Sequence, residues 1–144
     1  MIEIGRTRRL VGGLFDIKFQ RAQPIAERNV RVEVPERTLA DGTVERDLDG
    51  HDFSEIVARF RAEGVESVAI CFLNAYVNDE TEQRAAAALT ALMSEVPITP
   101  SAAIVRERGE YERFSTAVLN AYLTPVMRGY LETLSDELAG SGVR

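Results

Sequence analysis

At 144 residues and a net charge of −6, the chain suits one domain that buries about two-thirds of the surface its unfolded form exposes, without help from a disulfide or a metal. Hydrophobic residues at 45% and charged residues at 28% are close to the averages for soluble globular proteins, and no apolar run approaches the roughly 20 residues that cross a bilayer. The start puts an acid before its basic cluster and follows it with an apolar stretch broken by Gly12, Gly13 and Asp16, which makes a poor signal peptide. With a single cysteine, Cys71, and no internal disulfide possible, the expected compartment is the cytoplasm.

The charge is unevenly spread. Residues 1–31 hold seven Arg or Lys against three acids, whereas residues 32–144 hold ten against twenty. A basic arm on an acidic body with few aromatics argues against an extended nucleic-acid surface and fits docking on acidic protein surface. All basic residues but Lys18 are arginine, which with the many alanines suggests a GC-rich bacterial genome.

In chain order, residues 1–29 have no clean period, with Leu14–Phe19 as a short strand and Ile2–Ile4 as the tail of an element begun elsewhere. They are read as a basic arm left over from a preceding element, and residues 30–144 as one α/β unit. Val30–Val34 alternates strictly and predicts a half-buried strand. Glu36–Leu39 and Thr43–Glu45 around Asp41-Gly42 predict a hairpin. Asp49 or Asp52 can cap a helix with Phe53, Ile56, Val57 and Phe60 on one face and Gly64 at its C-terminal cap. Ser67–Leu73, continuously apolar and short, reads as a central strand covered on both faces. Asp79-x-x-Glu82 resembles a capping box before a helix that places Ala85, Ala88, Leu89 and Leu92 on one side. Ile98–Ile104 supplies a further strand, which Pro97 and Pro100 hold to an edge position or a short pairing.

The last segment runs from Glu110 to about Leu138. Tyr111, Phe114, Val118 and Tyr122 form an apolar stripe edged by Arg113, Thr116 and Asn120. Met127, Tyr130, Leu131, Leu134 and Leu138 form a second stripe, turned about 150° from the first. One straight helix on one core cannot bury both, so Pro125 starts a new helix, kinks the old one, or leaves the second half facing a surface outside this chain. The expected fold is α/β: a small mixed sheet with an N-terminal hairpin, then helix–strand alternation and a long, Pro-interrupted C-terminal helix.

Self-sufficient chemistry is absent. His51 is the only histidine and reads as an exposed residue near a helix cap, and Cys71 as a small buried thiol. No phosphate loop precedes the sole lysine, and Asp41-Gly42-Thr43 is better explained as a turn than as a phosphate grip. Glu110 and Glu112 read as a solvated charge run. Two polar clusters stand out: Asn74, Tyr76 and Asn78 beyond the proposed central strand, where open α/β sheets place ligand loops, and Arg113, Thr116 and Asn120 with Ser115. Each has a plain alternative, a turn with a helix cap for the first and a locally satisfied helix edge for the second.

The run Tyr111-Glu-Arg-Phe-Ser-Thr-Ala-Val-Leu-Asn-Ala-Tyr-Leu-Thr-Pro125 closely resembles a segment of the hydantoinase A and 5-oxoprolinase family. Glu3–Arg6, Val34–Arg37 with Asp41-Gly42, and Val68–Tyr76 with Asn78 and Glu82 agree in the same order, so the resemblance spans nearly the whole chain. It implies an ATP-dependent hydrolase acting on cyclic amide C–N bonds, such as hydantoins, N-methylhydantoin or 5-oxoproline, with ketone carboxylase subunits among its relatives. In that family ATP is thought to activate the amide oxygen by phosphorylation before water opens the ring. The nucleotide-binding part resembles the actin-like ATPase fold, and its phosphate motif and larger second domain have no counterpart here.

The resemblance therefore implies an internal piece of a longer bacterial enzyme, inactive alone. ATP with Mg2+ would serve the parent enzyme and would not bind this stretch tightly. Its partners would be the remainder of the parent chain and a second subunit, with no nucleic acid or membrane. A non-catalytic interface module, of such an enzyme or of a ketone carboxylase subunit, is the alternative. Arg113, Thr116, Asn120, Tyr111, Asn74, Tyr76 and Arg6 are the candidates for substrate or interdomain contact; none takes a catalytic step, and no metal ligands are expected.

Overall fold

A computed structural model describes residues 24–140, so Arg6, Ile2–Ile4 and the Leu14–Phe19 strand lie outside the described residues. After a 3-10 turn at Arg28–Val30 come strands β1 (Arg37–Thr38) and β2 (Val44–Arg46) and helix α1 (Ser54–Ala62). Strand β3 (Val68–Ile70), helix α2 (Glu80–Leu92) and strand β4 (Ile98–Pro100) follow. The single turn α3 (Ser101–Ile104) then leads to the long α4 (Glu110–Gly140). The α/β architecture expected from the sequence is present, with its pairings split between two sheets: antiparallel β1–β2 and parallel β3–β4.

Local chemistry explains the first half. In the hairpin, the Asp41 carboxylate accepts the Thr43 N–H at 2.9 Å, and Gly42 takes φ +89°, a conformation that costs a residue without a Cβ little. Val30–Val34 departs from expectation. Val32 and Val34 do pack against the core, but the run has no ladder partner among the described residues. Pro35 lacks an N–H and the Glu36 N–H folds back onto the Val34 carbonyl at 2.8 Å, so the chain bends where pairing would continue. Asp52 accepts the Ser54 N–H at 2.8 Å at the start of α1, whose Phe53, Val57 and Phe60 are buried. Gly64, at φ +65°, closes α1 with paired bonds, Val65 N–H to Phe60 C=O and Gly64 N–H to Arg61 C=O.

The second half corrects three readings. Strand β3 stops at Ile70 and has one neighbour, so it is no central strand among the described residues. The backbone groups of Phe72, just beyond it, bond to side chains instead of another strand. The capping box is not formed, because Glu82 turns inward rather than back to Asp79; Asn78 accepts the Glu80 N–H in its place. Ile98–Ile104 divides into strand and helix at Pro100, whose fixed φ and extended ψ of 137° end the ladder and start α3.

Helix α4 runs unbroken through Pro125, which therefore starts no new helix. Its buried face is Arg113, Phe114, Ala117 and Ala121, set against α3, β3 and β4. Tyr111 and Tyr122, expected in the core stripe, are exposed, because small alanines at i+4 spacing let the helix lie close to the sheet while the tyrosines point away. The remaining core gathers Leu48, Phe53, Val57, Phe60, Val68, Ile70, Ala85, Leu89 and Met93 between α1, α2 and the parallel pair. Leu92, expected on the inner side of α2, is exposed, and Met93 is buried in its place.

Candidate functional site

The carboxyl ends of β3 and β4 converge on two fully buried charges, Glu82 from α2 and Arg113 from α4. Glu82 lies on the same helix face as Ala85 and Leu89, which carries its carboxylate into the core. There Oε1 accepts the Phe72 N–H at 2.8 Å and the Ser101 hydroxyl at 2.6 Å, and Oε2 accepts the Ala102 N–H at 2.9 Å. Arg113 approaches from the other side. Its Nε donates to Ser101 Oγ at 3.1 Å, one Nη to the Phe72 carbonyl at 2.7 Å and the other to the Glu107 carbonyl at 3.5 Å.

The two charges do not meet directly; the Ser101 hydroxyl stands between them, donating to the carboxylate and accepting from the guanidinium. A hydroxyl has one proton to give and lone pairs to receive, so this polarity satisfies all three groups. Both backbone groups of Phe72 are thereby held by side chains of opposite charge. The guanidinium also lies 5.1 Å from the Phe114 ring centroid and 5.7 Å from that of Tyr76, within cation–π range. Burying a charge is costly unless it is compensated and hydrogen-bonded; here each carboxylate oxygen of Glu82 and each guanidinium nitrogen of Arg113 has a partner, with the Ser101 hydroxyl linking the two charges.

Cys71 sits beside this cluster. Burial first, and the Glu82 charge second, push its thiol up to about 12 against an opposing pull from Arg113. It stays protonated near neutral pH and is no nucleophile.

The loop after β3 is fixed from outside as well. Asn74, at φ +58°, donates its amide to the Thr38 carbonyl at 2.9 Å, and Asn78 donates to the Gly42 carbonyl at 2.9 Å, so the loop is stitched to the hairpin. Glu36 accepts from the buried hydroxyls of Thr38 and Thr81, tying β1 to the start of α2. Arg106 bonds Asp79 at 2.8 Å and reaches the Tyr76 carbonyl at 3.4 Å.

Of the seven residues singled out in the sequence, the structure brings Arg113 and Tyr76 together and places Asn74 in the same loop as Tyr76, against the hairpin. Tyr111, Thr116 and Asn120 lie on exposed parts of α4; the Thr116 hydroxyl donates to the Glu112 carbonyl at 2.8 Å. Arg6 is outside the described residues. Glu82 and Ser101 were missed as site residues. The available signal was a charge standing three and seven residues before Ala85 and Leu89, on what is otherwise an apolar helix face.

Chemically, the cluster is a positioning device. Every polar atom of Glu82 and Ser101 has a partner, which leaves neither as a free acid or base. Glu82 occupies the Ala102 N–H in the first turn of α3, and the open polar groove of the hairpin carries Glu36 and Glu45 beside Arg37 and Arg46. Among the described residues no three His, Cys, Asp or Glu side chains gather as metal ligands, and no helix is long and apolar enough to cross a membrane.

Residues 1–93 match the model of the hydantoinase/oxoprolinase N-terminal region. An uncharacterized protein of Methanocaldococcus jannaschii is 37% identical over 99% of this chain and 21% of its own length. The caprolactamase subunit alpha of Pseudomonas jessenii is 32% identical over 85% of this chain and 18% of its own. The acetophenone carboxylase gamma subunit of Aromatoleum aromaticum is 31% identical over 83% of this chain and 17% of its own. The crystal structure of the ATP-dependent caprolactamase from Pseudomonas jessenii superposes with a TM-score of 0.81 at 31% identity, over 93% of this chain and 19% of that one. The chain thus spans about a fifth of the length of the relatives it matches. It belongs to the hydantoinase/oxoprolinase family, in its N-terminal region.

Proposed function

We propose that this chain forms part of an ATP-dependent hydrolase that opens cyclic amide C–N bonds, and that its own contribution is a rigid support rather than a reacting group. The carrying observation is the 0.81 TM-score to the ATP-dependent caprolactamase over 93% of the chain. The Glu82–Ser101–Arg113 cluster supports the structural half of this reading, since it uses buried charge to set the backbone at Phe72 and has no free acid or base. Residues 30–144 act in this reading as one α/β unit following a basic arm, in a cytoplasmic enzyme of bacterial type that works with a second subunit. ATP and its Mg2+ belong to the parent enzyme as a whole. Tyr111, Thr116 and Asn120 serve as contacts to its other parts. A second reading, a ketone carboxylase subunit, draws on the 31% identity to the acetophenone carboxylase gamma subunit.

The test is ATP hydrolysis by the complete purified protein, with its neighbouring subunit, in the presence of candidate substrates. Stimulation by caprolactam, hydantoin or 5-oxoproline, with the ring-opened acid as product, is the expected result. Stimulation only by a ketone with bicarbonate favours the second reading, and no stimulation by either class overturns both.

A further inference from the structure

We propose that the outer face of the second half of α4 is a buried interface, seated in an apolar groove built by the rest of the same polypeptide. The proposal rests on the reading that the complete protein is longer than this chain.

On a helical projection, Tyr122, Val126, Tyr130, Leu123, Leu134, Met127 and Leu131 span a largely apolar arc of about 180°, broken near its Tyr122 edge by Thr133, whose hydroxyl bonds the Gly129 carbonyl. Among the described residues nothing covers it: Tyr122, Val126, Tyr130 and Leu131 are each more than half exposed. Arg128, Glu132, Ser135 and Asp136 take the opposite side, so this half is amphipathic in its own right. The centre of the arc lies about 130° around the helix from the centre of the face that Arg113, Ala117 and Ala121 press onto β3 and β4, and only its Leu131 edge shares the direction of Arg113. Whatever covers the arc therefore lies on the far side of α4 from this domain's core. A contiguous exposed patch of such size marks an interaction surface.

Two features select the occupant. A pair of helices from two copies buries a narrow seam of positions a and d, whereas an arc of about 180° needs contact from more than one element at once. The superposition on the caprolactamase leaves only 7% of 144 residues, about ten, unmatched. That chain has about four-fifths of its length beyond the matched part, ample to build such a groove.

The experiment is cysteine accessibility in the complete protein, with Met127→Cys, Leu131→Cys and Leu134→Cys on the arc and Arg128→Cys and Asp136→Cys on the polar side. Cys71, half-buried with a raised pKa, gives a low background that the unsubstituted protein measures. Maleimide labelling on the arc should be at least tenfold slower than on the polar side and independent of protein concentration. Equal labelling on both sides overturns the proposal. Protection that disappears on dilution, as a dimer dissociates, overturns it in favour of a second copy. Amide exchange in the unsubstituted protein reads the same segment without mutation: slow exchange across residues 126–134 is expected, and exchange as fast as in an isolated helix counts against a buried arc. None of these readouts involves ATP or a substrate, so they stand or fall separately from the proposed activity.

Discussion

The two halves of α4 share one helix and a similar share of apolar residues, yet they are treated in opposite ways. In the first half a charged residue, Arg113, is fully buried while Tyr111 stands in solvent. In the second half leucines, a methionine and a tyrosine are exposed together. The difference lies in what faces each half. Arg113 meets a hydroxyl, two carbonyls and two aromatic faces, and its desolvation is offset bond by bond. Leu131 is more than half exposed and lines a shallow depression only with residues of its own helix, and hydrophobicity without a partner element buries no side chain.

The contrast can be broken most sharply at Arg113. Replacing it with Leu strips the Phe72 carbonyl and Ser101 of their donor and leaves Glu82 as a buried charge without its counterpart, a loss of about 3–5 kcal/mol that urea unfolding would measure. Phe114→Ala in the same half should cost a similar ~3–5 kcal/mol, whereas Leu131→Ala in the other half should change the stability of this chain by less than about 0.5 kcal/mol. Should Leu131→Ala prove as costly as Phe114→Ala, the second half is already covered within this chain.

Ser101→Ala tests the relay on a smaller scale. It removes the hydroxyl between the two charges and should cost about 1–3 kcal/mol. In a double-mutant cycle with Arg113→Leu, the two losses should fall short of additivity, because both substitutions break the same bond.

Cys71 reports on the burial around the cluster. Its folded pKa of about 12 lies above the ordinary 9.0, so the folded protein keeps a proton that the unfolded chain sheds. The stability this gives is full below pH 9 and is lost as pH rises toward 12. Cys71→Ala should flatten that alkaline decline in a series of urea titrations.

The smallest effect belongs to the exposed pair Asp47–Arg84. The hydrogen bond from Arg84 holds the Asp47 carboxyl below its usual range, so its stabilising effect is present above about pH 4 and lost as pH falls through the lowered folded value. Arg84→Ala should weaken this acid-side dependence, leaving the part held by the backbone N–H groups of Leu48 and Asp49, and added salt should weaken the wild-type effect.

Much of the fold was legible because it rests on local chemistry. Asp41-Gly42 specifies its turn, Gly64 its helix stop, and Phe53, Val57 and Phe60 their helical face, since each depends on neighbours a few residues away. Val30–Val34 misled because alternation records which side chains are buried, not whether the backbone finds a ladder partner. Asp79-x-x-Glu82 misled because a glutamate in the first helical turn can reach back to its own cap or inward to another element, and only the packing of α3 against α2 selects between them. The polar edge of α4 was legible as polar. Nothing local separated Arg113, which meets Phe72 across 41 positions of chain, from Thr116 and Asn120.

By itself the sequence determined the Asp41-Gly42 turn, the Gly64 helix stop, the three main helices and the displaced second stripe on α4, all set by spacing along a chain of known periodicity. Through the ordered segments that resemble one family, it also indicated membership. The tertiary structure alone decided that Glu82, Ser101 and Arg113 meet around Phe72, and that one half of α4 is anchored while the other lies bare. Burial of charge depends on partners brought together by the fold from distant parts of the chain, and a linear pattern does not contain them.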